Sequence, residues 1–507
     1  MLWIVGRVSR DALIEELLND RIRSRQRNGP PRRYILMTDT TQPLNAIEDL
    51  LHQIGAGELF DDLYVSNACR ARKDSGSMWE LVRTLETPEA ARWLHLGDNE
   101  FSDIQQAADR GLAWFHIPAP GSAAQVKGVD TSLLAPGVRI GTELVGGHGL
   151  AALASSAHRF KADEDFAQTA MEDFGYGVLG PLTLSFINWL THAARAREVD
   201  RLLFSARDGH LAFEILRRVR TFLPADIPQL DYFLMSRRVA LAISQHSGEH
   251  FDRVVAADYT SGSVADLLDV RLGLRLPGER GAQLGAARIT LPRDSAWLIE
   301  QLEEFREAIA AHGREELRGF RAYLDFLEIS PDEHLGFVDL GYSGTTQRAI
   351  TTVIDQHVTG FYYVTTSAAD QLGTDSASCF GRDVVVGNSN LIYGHAMLFE
   401  LLCSAEHPQV SRFIADPRGL RVEFDARSAA PPALRQHIET AQAAAIRFVH
   451  DHVERFGPEA LDERVDPLIV MSSLKRSAEM ILPNVEAIFE GFEHADPFSG
   501  RSNSKLT

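Results

Sequence analysis

From residue 34 the chain alternates short apolar runs with amphipathic stretches, and this alternation restricts the fold more than any other feature. The runs "YILMT", "DDLYVS", "RWLHLGD" and "LAWFHIP" are separated by "PLNAIEDLLHQIG", "GSMWELVRTL" and "FSDIQQAADRG", whose apolar residues recur at helical spacing. Strands that alternate with helices build parallel β/α layers, so residues 34 to 117 predict a doubly wound, Rossmann-like sheet. The stretch "APGSAAQVKGVDTSLLAPG" at 119 to 137 contains Pro and Gly without periodicity and predicts a boundary. Mostly helical sequence follows to about residue 200. A second β/α region starts with "VDRLLFSARDGHLAFEILRRV" and continues through "LDYFLMS". After a helical segment at about 294 to 328 it reaches "HLGFVDLGYSGTTQRAITTVI". Residues 432 to 492 predict helices, and "SGRSNSKLT" a frayed tail. The expected layout is α/β: a parallel-sheet domain over 1 to 120, a second α/β domain with helical insertions over 138 to 430, and a helical C-terminal segment with its tail over 431 to 507.

A chain of 507 residues exceeds what one hydrophobic core supports, which agrees with that division. The net charge of -19 repels polyphosphate backbones and argues against a general nucleic-acid role; the basic run "RIRSRQRNGPPRR" reads as a solvated loop. Cys69, Cys379 and Cys403 are too few and too scattered for a disulfide framework or a CxxC zinc site, and they suit a reducing cytoplasm. "MLWIV" is too short for a signal peptide and no stretch is long enough for a membrane span, so a cytoplasmic protein is expected.

In such sheets ligands collect beyond the carboxyl ends of the strands. Four loops of the first domain bring polar residues there: Thr38 and Asp39 where "YILMT" ends, Lys73 in "RARKDSG", Asp98 after "WLHLG", and Asp103 one turn later. A hydroxyl, an ammonium and carboxylates at one edge suit a phosphate with Mg²⁺, which prefers hard carboxylate oxygens with water and phosphate completing its shell.

The order "T-D", "K-x-x-G", "GDNxxSD" resembles the second, third and fourth motifs of the haloacid-dehalogenase-like (HAD) hydrolases, a phosphohydrolase superfamily, over residues 34 to 117. The resemblance implies that Thr38 hydrogen-bonds the phosphoryl group, Lys73 neutralises it, and Asp98 and Asp103 hold Mg²⁺. Those hydrolases attack phosphate with the first Asp of a DxDxT motif, and the second protonates the leaving group. Here the strand "MLWIV" followed by "GRVS" puts Gly6 and Val8 where the acids belong, while Asp11 and Asp20 lie in an apparent helix. In an alternative register "MTDTT" puts Met37 at the nucleophile and Asp39 at the acid position. Neither register supplies a nucleophile, so impaired phosphatase chemistry is expected. A chain start placed downstream of the motif would have the same result.

In the second domain, "FSARDGHLAFEIL" sets Arg207, Asp208 and Gly209 where a buried strand gives way to a helix, so backbone N–H groups and an Arg fork can face one anion. "GFVDLGYSGTTQRAI" repeats the arrangement with Asp339, Gly341, Ser343, Gly344, Thr345 and Thr346. Its glycines permit close backbone approach and its hydroxyls suit phosphate or ribose. This pair of loops looks like that of phosphoribosyltransferases, with one acid where two are usual. More closely, "FGYGVLGPLTLSFINWL", "LLFSARDGHL", "FLMSRRVA", "FVDLGYSGTTQ" and "LFELLCSAEHP" resemble, over 174 to 408, the C-terminal region of a bacterial family of predicted HAD hydrolases. That resemblance implies a link to surface-polysaccharide and glycosyltransferase systems. The expected function is the binding of a phosphorylated sugar or nucleotide, with glycan-assembly enzymes as partners. The alternatives are an active ribosyl or glycosyl transferase and a non-enzymatic regulator. Arg237, Arg238 and Glu400 are further polar candidates.

Overall fold

In the computed structural model, the residues described are 33–53, 55–86, 93–116, 139–156, 166–385, 388–416, 419–490, 492–496 and 501–505. The chain divides into two compact units, Met1–Thr131 with Leu150–Asp163, and Ser132–Gly149 with Glu164–Thr507. The helices after residue 431 belong to the second unit rather than standing apart. Gly6, Val8, Asp11, Asp20 and most of the basic run lie outside the described residues.

In the first unit, β1 (Ile35–Thr38) pairs in parallel with β2 (Asp62–Val65), and β3 (Leu94–Gly97) with β4 (Ala113–His116). The helix α1 (Leu44–Gln53) lies between the first two strands in sequence, and α2 (Ser77–Leu85) precedes β3. Strand positions and parallel direction agree with the sequence, but one doubly wound sheet does not emerge. Among the described residues the strands form two separate parallel pairs, because no ladder joins them. Met78, Trp79 and Val82 of α2 pack with Met37 and Tyr64, which buries the apolar stripe read from "GSMWELVRTL".

The second unit is built on a five-stranded parallel sheet: β5 (Arg201–Ser205), β6 (Gln229–Phe233), β9 (Leu335–Asp339), β10 (Val358–Tyr362) and β11 (Ser376–Ser378). The spatial order is β6-β5-β9-β10-β11, which in chain order reads 2-1-3-4-5. All five residues of β5 and of β10 are buried, as a parallel sheet covered on both faces requires. The strands β7 (Tyr259–Ser263) and β8 (Arg288–Leu291) form an antiparallel pair between β6 and β9 in sequence.

The helix α3 (His210–Val219) follows β5 and buries Leu211, Ala212, Ile215, Leu216 and Val219, a single helical stripe. The helix α4 (Arg237–Ile243) follows β6, capped by the Ser236 side chain on the Val239 N–H. The segment at 294 to 328 resolves into two helices, Ser295–Glu303 and α5 (Arg306–Phe326). Next come α6 (Thr345–Ile350), α7 (Ala396–Cys403), the antiparallel pair β12 (Gln409–Asp416) and β13 (Gly419–Asp425), then the long helices Pro432–Phe456 and Pro467–Phe489. The expected frayed tail is corrected: Arg501–Lys505 pairs antiparallel with Glu493–Asp496, so its main-chain groups enter a ladder. No helix among the described residues is long and apolar enough to cross a membrane.

Candidate functional site

In the first unit, Lys73 and Asp103 meet each other directly. Lys73 Nζ lies 2.6 Å from Asp103 Oδ1, and both side chains are almost fully buried. His95 Nε2 is 3.0 Å from the same oxygen; a carboxylate only accepts, so Nε2 carries the proton. The Asn99 N–H donates to Asp103 Oδ2 at 3.1 Å. Burial acts to raise the Asp103 pKa, but the hydrogen bonds from His95 and Lys73 outweigh it and bring it down to about 2. Gly97 is needed beside this group, since a Cβ there would stand 2.4 Å from the Asp103 Cβ.

The Asp39 carboxylate accepts the Lys73 main-chain N–H at 3.1 and 3.0 Å, tying the end of β1 to the lysine loop. Thr38 is buried at the end of β1. Asp98 is held through its main chain, whose carbonyl accepts from His116 Nε2 at 3.2 Å. The donor set does not fit a magnesium ion as it stands, because both oxygens of Asp103 are already engaged. Among the described residues, the one group of three metal-type ligands within 4.8 Å of one another is His450, Asp451 and Glu454, away from these residues in sequence and largely exposed.

The second unit brings its two predicted loops to one place. β5 and β9 are neighbours, and connections from them run to opposite sides of the sheet, so their carboxyl ends flank the crevice of a topological switch point. Ser205 Oγ donates to Asp339 Oδ1 at 2.7 Å across that crevice. The Leu340 N–H donates to the same oxygen at 2.9 Å. Ser404, after α7, donates through Oγ to Asp208 Oδ1 at 3.0 Å. Asp339 keeps part of its surface open but lies deep, and burial, then the charge of Asp208, push its pKa up to about 7 against the pull of Ser205 and Arg237.

Arg207 holds a left-handed backbone with φ 69°, uncommon for a residue with a Cβ and associated with functional turns. The turn is fixed from both sides. The Arg207 N–H donates to Tyr232 Oη at 2.8 Å, and the Arg207 carbonyl accepts the Ala405 N–H at 3.2 Å. His407 Nδ1 donates to the Pro408 carbonyl, so its Nε2, 2.7 Å from Tyr232 Oη, accepts the tyrosine proton. Burial lowers the pKa of His407 and of His210, which favours their neutral forms.

Gly209 caps α3 where a Cβ would meet the Ser205 carbonyl at 2.7 Å, and Gly344 caps α6 with φ 66°. Gly341 likewise passes close to the Val364 carbonyl. The hydroxyls of Ser343 and Thr345 bond each other at 2.9 Å, and Thr346 is half-buried on α6.

Tyr342 was not singled out in the sequence, yet its Oη is buried with no hydrogen-bond partner among the described residues. Burial, then the charges of Glu400 and Asp208, raise its pKa, so it stays a protonated donor beside carboxylates. Cys403 is raised for the same reasons and is no nucleophile at neutral pH. Tyr232, Ser404 and His407 were also missed; each is an ordinary residue whose role comes only from where the fold brings it. Acceptors thus outnumber cations at Asp208, Asp339 and Glu400, while Arg207 and the start of α3 provide the positive end.

Compared with known proteins, the chain matches no family model, and no curated protein is similar to it in sequence.

Proposed function

We propose that the chain is a HAD-like protein with an impaired phosphatase unit, and that its second unit binds a phosphorylated sugar or nucleotide. The observation that carries this reading is the Ser205–Asp339 hydrogen bond, which joins two loops far apart in sequence at a switch-point crevice. The phosphate sits at the Arg207 turn and the first N–H groups of α3, where a guanidinium and a helix dipole add. Sugar hydroxyls take the carboxylate end, donating to Asp208 and Glu400 and accepting from Tyr342. A bare anion would be repelled from that end. Magnesium at Asp98 and Asp103 belongs to this reading only if the ion displaces the Lys73 ammonium from Asp103. In surface-polysaccharide synthesis such a protein would work beside glycan-assembly enzymes.

The test is thermal denaturation of the full chain with ribose 5-phosphate and glucose 1-phosphate. Binding to the native state raises the melting temperature by mass action. Arg207→Ala and Asp339→Ala should each shrink the shift while leaving the fold intact. Full shifts in both variants would end the reading. Hydrolysis of a generic phosphomonoester with magnesium should be negligible, because neither Met37 nor Gly6 and Val8 can form an aspartyl-phosphate.

One observation favours a second reading, an active transferase. A carboxyl group held near pKa 7 in a cleft is poised to exchange protons at neutral pH, and Asp339 is such a group. Turnover of an activated sugar, with a pH profile that Asp339→Asn flattens, would select it.

A further inference from the structure

A second polar hollow lies elsewhere in the second unit. On α5, Arg314, Arg318 and Arg321 recur at i, i+4 and i+7, so three guanidinium groups share one helical face. With Leu317, Asp325 and, from β12, Ala415 they line a groove of about 480 Å³. Arg314 is paired with Glu307. Arg318 and Arg321 are exposed and have neither a carboxylate nor a hydrogen-bond acceptor among the described residues. Several other exposed helix arginines of this unit are paired: Arg217 and Arg218 share Glu214, Arg280 meets Glu304, and Arg306 meets Glu303. In a chain of net charge -19, two adjacent unneutralised guanidiniums over an apolar floor make a local trap for a small anion.

We propose that this groove binds a nucleoside diphosphate. The diphosphate spans Arg318 and Arg321, whose planar forks bond phosphate oxygens in pairs, and Arg314 can turn from Glu307 to join them. Asp325, one turn beyond Arg321 on the same face, repels phosphate but accepts from a ribose diol. The base lies along Leu317 and Ala415, an apolar lining that bare phosphate would leave unused. The volume falls within the roughly 300–1,000 Å³ range of small-molecule sites. A long polyanion fits less well, because the chain's overall charge repels it and Asp325 interrupts the cationic stripe.

Titration calorimetry of the full chain tests this with ADP, inorganic diphosphate and adenosine as probes. ADP should bind more tightly than diphosphate, and adenosine far more weakly than either. Arg318→Ala and Arg321→Ala should each weaken ADP binding by about tenfold, the expected scale for losing a charge-assisted contact. Arg280→Ala, an exposed arginine outside the groove, should change nothing, and unchanged melting curves would show all variants folded. The proposal is overturned if the Arg318→Ala/Arg321→Ala double variant keeps its ADP affinity, or if diphosphate binds as well as ADP. If Arg207→Ala abolishes ADP binding while the groove variants do not, the ligand sits in the switch-point cleft: the groove fails and the cleft reading stands.

Discussion

The carboxylate of the first unit and those of the second meet opposite fates. Asp103 is surrounded by Lys73, His95 and a main-chain N–H, so its charge is fully answered and its pKa falls to about 2. Asp339 also lies deep, with part of its surface open, but it faces another carboxylate, and its pKa climbs to about 7. A buried charge that is satisfied becomes part of the structure. One left in like-charged company remains available to a ligand or a proton.

The sharpest way to break this comparison is Lys73→Met, which leaves Asp103 buried without its cation. It should cost about 3–5 kcal/mol, read from urea denaturation, against little effect on sugar-phosphate binding by the second unit. A loss near zero would mean that the pair contributes no stability. Acid titration sharpens the same point: a depressed carboxylate pKa stabilises above its ordinary value of 3.8 and is lost as pH falls through about 2.

Gly97→Ala should cost about 1–3 kcal/mol, because the new methyl overlaps Asp103 and must push it off Lys73. The same denaturation curves measure it. Asp339→Asn should act in the other direction. A raised carboxyl pKa means the native state holds its proton longer than the unfolded chain, so the wild type loses stability as pH rises from about 4 to about 7. The amide removes that slope and should leave the variant more stable than the wild type at pH 8, with no gain at pH 4. Parallel stability curves for the two proteins would sink this account of Asp339.

The smallest effect belongs to Tyr342→Phe. Its hydroxyl has no partner to lose, so ligand-free stability should change by less than about 1 kcal/mol. The melting-temperature shift given by glucose 1-phosphate should nevertheless decline. Equal shifts would show that the hydroxyl does not face the ligand.

Much of the secondary structure was legible because it rests on local pattern. "RLLFS", "LDYF" and "GFVD" are strands, and the stripe after "RDG" is a helix. Thr38, Asp39, Lys73 and Asp103 could be placed because each ends or follows a strand within the same short run of β/α units. Three things were not legible. The pairing of the first four strands into two ladders depends on which edges meet, which apolar content does not specify. The saturation of Asp103 depends on His95, whose strand position looks like an ordinary core site. The partners Tyr232, Ser404 and His407 come from distant segments: Ser404 lies 196 residues from the Asp208 it bonds, and Tyr232 lies 175 residues from His407. Their identity as serine, tyrosine or histidine carries no sign of that destination.

The Ser205–Asp339 contact closes a loop of 134 residues, and this has a consequence for synthesis. β5 emerges from the ribosome with an apolar centre, Leu202 to Phe204, that the fold will bury, and β6 can soon cover one of its edges. Its other edge must wait for β9. At about 5–20 residues per second that delay is on the order of ten seconds, long for an open, sticky strand edge. The crevice is therefore among the last features a nascent chain acquires, and a folding helper that shields β5 during that interval should raise the yield of native protein more than one acting after release.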